Sequence, residues 1–225
     1  MMKQIAIAID GPAAAGKSTV AKLVAKKLGY IYIDTGAMYR AVTFYCLEKG
    51  IDCQNVEAVN EVVEDVEVTL FQDHTVMLNG KNVTKEIRST PVARNVSYIA
   101  ANKCVRLHLV KQQRLMAEKE SVVMDGRDIG TYVLPNADVK IFQIASVETR
   151  AQRRYLENME KGIECTIESI EEEIRMRDHI DSTRDFAPLS KAEDAVAIDT
   201  SDMTIEEVVN AILNIVNKKV GECHE

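Results

Sequence analysis

Apolar runs are short throughout this 225-residue chain. None approaches the ~18 residues of a membrane-spanning helix, so no membrane span and no membrane partner is expected. Strand signal begins directly after Met-Met-Lys-Gln, which leaves no room for a signal peptide. Cysteine is scarce, odd in number and scattered, at Cys46, Cys53, Cys104, Cys165 and Cys223, with no C-x-x-C. That pattern excludes a disulfide framework and a Cys-rich zinc site, and a reduced cytoplasm is the expected location. Long repeats and low-complexity linkers are also lacking. Net positive charge is lacking too: the formal charge is −7. A broad nucleic-acid surface is thereby disfavoured, the basic stretch 103–114 notwithstanding, and no nucleic-acid partner is expected.

What is present is ordinary for a globular protein, 46% hydrophobic and 28% charged, enough for one large α/β domain with a small insert. Strand and helix signals alternate. Strands are expected at 5–9, 30–34, 122–125, 139–145 and 195–199. The fold class is therefore α/β, a parallel five-stranded sheet with helices on both faces. Gly29 and Gly50 read as helix stops. Thr204 with Glu207 reads as the capping box of a last helix whose apolar residues keep helical spacing. Residues 66–83 alternate instead in strand fashion and hold Asn79-Gly80, the signal of a β-hairpin. Pro91 then opens what reads as one long helix to about residue 119. Hairpin and helix together form an insert between the second and third core strands.

Residues 11–18, Gly-Pro-Ala-Ala-Ala-Gly-Lys-Ser, follow the first apolar strand and open a helix. This is G-x-x-x-x-G-K-[ST] in the setting that gives it meaning. Backbone N–H groups of a tight loop and a helix N-terminus supply donors for a triphosphate such as ATP. Lys17 adds a cation for the outer phosphates, and the Ser18 hydroxyl can ligate Mg²⁺. An acidic chain that binds polyanions must gather its cations locally. Arg127, Arg150, Arg153, Arg154, Arg175, Arg177 and Arg184 do so. Two further clusters end strands, Asp34-Thr35-Gly36-Ala37-Met38-Tyr39-Arg40 and Asp125-Gly126-Arg127-Asp128-Ile129-Gly130-Thr131. Singly, their glycines read as turn residues. Together, on the sheet edge that carries the loop, they read as a second anion site. Asp125 is either a water-mediated holder of Mg²⁺ or a structural turn residue. Glu171–Glu173 and some of the nearby arginines read as a solvated helix face, and His179 takes no role.

GPAAAGKST, DTGAMYR, DGRDIGT and RMRDHIDSTRDFAPL, in this order and with this insert, resemble the bacterial cytidylate kinases over almost the whole chain. The resemblance implies a P-loop nucleoside monophosphate kinase fold in three parts: core 1–60, 120–146 and 185–225, acceptor-binding insert about 61–119, and lid about 147–184. It implies a cytoplasmic monomer that phosphorylates CMP and dCMP with ATP and Mg²⁺. Residue by residue, Gly11, Pro12, Ala13, Ala14, Ala15, Gly16, Lys17, Ser18 and Thr19 match the ATP loop. Arg40 and Arg127 match ligands of the acceptor phosphate. Ser97, Arg106 and Asp128 match cytosine contacts, and Thr35, Asp181 and Arg184 match sugar-side contacts. Arg150, Arg154 and Arg177 match lid arginines that approach the transferring phosphoryl group. The loop departs from the family at Ala13-Ala14-Ala15, where Gly or Ser is common; alanine still donates through its backbone.

The chemistry suits these residue types. Phosphoryl transfer needs positioning and charge neutralisation more than a protein base. Cytosine offers an N4 amino donor with N3 and O2 acceptors, which a carboxylate and a guanidinium complement. Other small-molecule P-loop kinases, of the shikimate or dephospho-coenzyme A type, lack the DTGAMYR/DGRD pair with an insert between. A GTPase-like switch is excluded by the missing N-K-x-D, since Asn102-Lys103 runs into Cys104-Val105.

Overall fold

The computed structural model describes residues 4–160 and 162–221, so Cys223 lies outside the described residues. Its central strand is β1 (Ala6–Asp10), almost wholly buried, as an uninterrupted apolar run requires. β6 (Val122–Gly126) and β7 (Val139–Ile144) pair with it on opposite sides. β2 (Ile31–Asp34) and β8 (Val196–Asp199) complete the order β2-β6-β1-β7-β8, every pair parallel. All five expected core strands are found, with ends displaced by a residue or two. Asp10 stands opposite Gly126 and Asp34 opposite Asp125, so the carboxyl ends of three strands share one edge. A ligand crevice belongs where successive strands diverge to either side of β1.

Alternation sorts the core into two layers. Ile7 and Ile9 pack with Val20 and Val24 of α1 (Lys17–Leu28) and with Val208 and Ile212 of α8 (Ile205–Gly221). On the other face Ala8, Ile33 and Met124 meet Val110 of α5 (Lys103–Ala117). Gly29 closes α1 in the left-handed region at φ 70°, and Thr204 and Glu207 form the expected reciprocal cap of α8.

A second apolar cluster builds the insert against α2 (Thr35–Glu48). It gathers α3 (Val56–Val62), the short antiparallel strands β3 (Val68–Leu70) and β4 (Val76–Leu78), and α4 (Thr90–Ala101), while the exposed β5 (Lys81–Asn82) pairs with β4. Asn79 and Gly80, at φ 47° and 79°, make the tight β4–β5 turn. The expected hairpin is thus a three-stranded sheet, and α3 was not anticipated.

The single long helix expected from Pro91 to about residue 119 is corrected: it is two helices, α4 and α5, broken at Asn102. Asn102 leaves helical geometry at ψ 121°, and its side chain accepts from the N–H groups of Cys104 and Val105 at 2.9 and 3.3 Å. An asparagine N-cap outcompetes helix continuation here. The break has a use. It frees the Ala100 carbonyl at the end of α4, which accepts from Arg106 at 3.1 Å and from Arg184 at 3.3 Å. Guanidinium groups at a helix C-terminus also complement its dipole.

The chain from 147 to 183 forms a helix pair, α6 (Val147–Glu160) and α7 (Ile167–Thr183). Its own core is small: Ala151, Ile170 and Ile174 are the buried hydrophobics of this cluster. So little burial leaves the pair dependent on polar contacts to the rest of the molecule.

Gly11 ends β1 at φ 151°, and a Cβ there would stand 2.0 Å from the Gln143 carbonyl oxygen of β7. Gly11→Ala is expected to destabilise the protein by at least about 3 kcal/mol, since backbone must move against backbone. Thermal unfolding checks this, and a melting temperature within about 3 °C of wild type contradicts it.

Candidate functional site

The loop 11–16 rises from β1 into α1 with Ala14 at φ 55° and Gly16 at φ 83°. α1 starts with no side-chain cap, so its first N–H groups remain available to an anion. Gln143 of β7, which sequence reasoning did not single out, donates its amide to the Ala15 carbonyl and fixes the loop from beneath. Lys17 is 5% exposed and donates to the Pro12 carbonyl at 2.6 Å. Burial, and then the Arg127 guanidinium, hold its ammonium well below the usual lysine range.

Asp125, at the end of β6, accepts from Ser18 at 2.8 Å and from Tyr32 at 2.7 Å, and its backbone carbonyl accepts from Thr35 at 2.6 Å. Burial and the nearby Asp34 push its carboxyl above the usual range. This hydroxyl–carboxylate pair beside the phosphate loop is an all-oxygen donor set, which fits Mg²⁺, an ion that keeps waters and phosphate oxygens as its other ligands. Among the described residues no group of three or more His, Cys, Asp or Glu side chains is placed to hold a metal ion.

Asp10 is another buried carboxylate unforeseen from the sequence. It accepts from the N–H groups of Ile129 and Gly130 at 2.8 and 2.7 Å. It thereby pins the turn after Arg127 and Asp128. Burial outweighs those two bonds and pushes its pKa up to about 7.

From here a buried ionic network extends toward the insert. Arg127 donates to Asp181 of α7 at 2.7 Å. Burial works against the Asp181 charge, but Arg127 and Arg177 outweigh it and hold the carboxyl below its usual range. Asp128, 3% exposed, pairs with Arg106 and, at 3.3 Å, with Arg184. The Arg106 guanidinium also lies 5.4 Å over the Tyr39 ring. Two buried carboxylates thus organise three arginines drawn from α5, the β6 edge and the C-cap of α7.

One cavity of about 640 Å³ joins these parts. Its walls include the loop and α1 residues Ala14, Ala15, Gly16, Lys17, Ser18 and Thr19. The wall continues through Thr35, Arg40, Ser97, Arg106, Asp125, Arg127, Asp128, Asp181 and Arg184, with Arg154 of α6 and Arg177 of α7. Gly11, Pro12 and Ala13 are not on the wall; Gly11 is needed for close packing. Arg150 stands apart from the other two lid-type arginines. It is 4% exposed and off the wall, turned instead onto Asp178 at 2.6 Å and the Ala13 carbonyl at 2.9 Å. Arg175 pairs with Glu171 on the surface at 3.2 Å, the solvated face expected for that stretch.

The cavity also has residues that the sequence did not nominate. Arg88 lines the insert end, and Thr200, Met203, Thr204, Ile205 and Val208 line the opposite end. The second group lies just past β8, at the same sheet edge as the other strand-end clusters. That position was the available signal.

The cytidylate kinase family profile matches residues 7–218. A cytidylate kinase of Bacillus cereus is 54% identical over 220 residues, covering 96% of this chain and 98% of the relative. One of Bacillus anthracis is 55% identical over 219 residues, covering 96% and 97%. Among solved structures, a gluconokinase from Sinorhizobium meliloti superposes with a TM-score of 0.51 at 14% identity, covering 99% of this chain and all of that one. That likeness concerns the fold alone.

Proposed function

The chain belongs to the cytidylate kinase family, and from that premise we propose that it transfers the terminal phosphoryl group of ATP to CMP and dCMP, releasing ADP and CDP or dCDP. The observation that carries the reading is one continuous cavity lined both by the phosphate loop and by the buried Arg106–Asp128–Arg184 group.

Loop N–H groups and Lys17 hold the donor phosphates. Ser18 directly, and Asp125 through water, would hold Mg²⁺, which neutralises phosphate charge when bound. The nucleoside end of the donor fits the wall past β8, where Met203, Ile205 and Val208 supply apolar surface. Arg40, Arg127 and Arg88 converge on the acceptor phosphate. Thr35, Asp181 and Arg184 take the sugar side, and Asp128 accepts from the cytosine amino group. Asp128 already serves two guanidiniums, but a carboxylate has about four acceptor positions and retains two. Arg106 donates to the ring acceptors, with Ser97 beside it. A CMP phosphate is largely dianionic at neutral pH, so its oxygen attacks without a protein base. Among the described residues no histidine lies on the cavity wall. Arg154 and Arg177 would neutralise the transferring group. Burial, then Arg127, lower the Arg177 pKa to about 10, which still leaves it charged.

The three-part division of core, insert and lid suits this reading, since a lid that closes over two nucleotides excludes water. We also place the protein in the cytoplasm as a monomer. Cys46, Cys53, Cys104 and Cys165 are all free thiols, as a reducing compartment favours. No described helix is long and apolar enough to cross a membrane.

The test is ATP-dependent ADP release with CMP, dCMP, UMP, AMP and GMP as acceptors. CMP and dCMP should be turned over best; preference for a purine nucleotide, or turnover of none, overturns the reading. Arg127→Ala should raise the CMP KM and lower kcat, each by about tenfold or more, with the ATP KM nearly unchanged. Loss of ATP binding with CMP binding intact would put Arg127 on the other nucleotide.

A further inference from the structure

Ala13 of the phosphate loop is gripped on both peptide faces by two lid side chains. Its N–H donates to Asp178 Oδ1 of α7 at 3.0 Å, and its carbonyl accepts from Arg150 Nη1 of α6 at 2.9 Å. The same Nη1 donates to Asp178 Oδ2 at 2.6 Å, closing the ring, while Arg150 Nε donates to the Ala145 carbonyl at 3.0 Å. The next residue, Ala14, sits at φ 55°. A non-glycine residue there costs roughly 1–2 kcal/mol and persists only where its surroundings hold it.

We propose that Arg150 and Asp178 are positioning residues, which act as one clamp to set the bend of the donor loop at Ala13–Ala14 and to register the lid on it. Charge-assisted bonds of this kind are stronger than neutral ones. The lid has little apolar core to dock it otherwise. Arg150 then has no free reach toward the phosphoryl group, and charge neutralisation falls to Arg154 and Arg177, which do stand on the cavity wall. The kinetic part of the proposal rests on the kinase reading; the structural part does not.

The experiment combines Asp178→Ala, Asp178→Asn, Arg150→Ala and the Arg150→Ala/Asp178→Ala pair. The first readout is hydrogen exchange at the Ala13 amide in nucleotide-free protein. Asp178→Ala should speed this exchange by about tenfold or more, and Asp178→Asn, which keeps an acceptor oxygen, should restore most of the protection. The second readout is kinetic. Each single alanine variant should raise the ATP KM by about tenfold with the CMP KM within about twofold, and the double variant should be no worse than the poorer single one. Unchanged Ala13 exchange in Asp178→Ala overturns the clamp. A kcat loss of about 10²–10³ confined to Arg150→Ala, with Asp178→Ala near wild type, overturns it differently, by making Arg150 a phosphoryl contact. If the wild-type protein phosphorylates no nucleotide, the kinase reading fails, while the exchange result still decides the clamp.

Discussion

Lys17→Ala and Lys17→Met are expected to lose about 10²–10³ in turnover while folding at least as stably as wild type. The loss follows from the place of Lys17 in the loop, where its charge meets the group being transferred. The stability follows from burial. Lys17 is 5% exposed, and the folded pKa of its ammonium is lowered from the ordinary 10.5. The unfolded chain therefore holds this proton more tightly than the folded one. Stability from this group rises with pH between the lowered value and 10.5, so at neutral pH the charge opposes folding. Methionine keeps the apolar stem and removes that cost, against which stands the lost bond to the Pro12 carbonyl. A melting temperature unchanged or higher by about 2–4 °C, with turnover nearly abolished, is the expected pair of results. Retention of more than about a tenth of the rate would remove Lys17 from the transferring phosphate. A melting temperature several degrees lower would make its bond to Pro12 primarily structural.

Asp128 carries the second large expectation, and here the structure separates two substitutions. Asp128→Ala leaves Arg106, 1% exposed, and Arg184, 8% exposed, without their shared carboxylate. Breaking a buried pair from one side typically costs about 3–5 kcal/mol. Urea unfolding should show a loss of this order, which is why alanine is a poor probe of specificity. Asp128→Asn keeps the shape and one acceptor, and its amide can donate to the O4 of uracil. It should narrow the CMP-to-UMP ratio of kcat/KM by about tenfold or more. An equal fall for both substrates would make Asp128 a scaffold for the two guanidiniums, and Ser97 would be the next position to test.

The parts that could be read in advance share a physical cause. Loop, strand and cap signals are local: Gly-x-x-x-x-Gly-Lys-Ser after an apolar strand, Gly29 and Gly50 after amphipathic runs, Asn79-Gly80 between alternating residues, and Thr204 three before Glu207. Each depends on neighbours within a few residues, so the sequence carries it directly. The helix break at Asn102 was equally local, an N-cap asparagine ahead of Cys104 and Val105, but the long run of helix formers around it masked the signal. α3 is short, with Val59 its one fully buried residue, and such a brief period does not stand out from loop.

The sequence by itself determined the parallel α/β architecture, the donor-phosphate loop and the arginine-rich character of the site, because periodicity and motif spacing encode them along the chain. Tertiary structure alone decided where each arginine stands. Arg150, Arg154 and Arg177 are indistinguishable as letters in a helical run. Helix packing turns Arg150 onto Asp178 and Ala13, and leaves the other two on the cavity wall. Likewise the partnership of Asp128 with Arg106 and Arg184 joins residues from three separated segments, and the roles of Asp10 and Gln143 exist only where β1, β6 and β7 lie side by side. A charge takes its role from what it is buried against, and that neighbour is set by the fold.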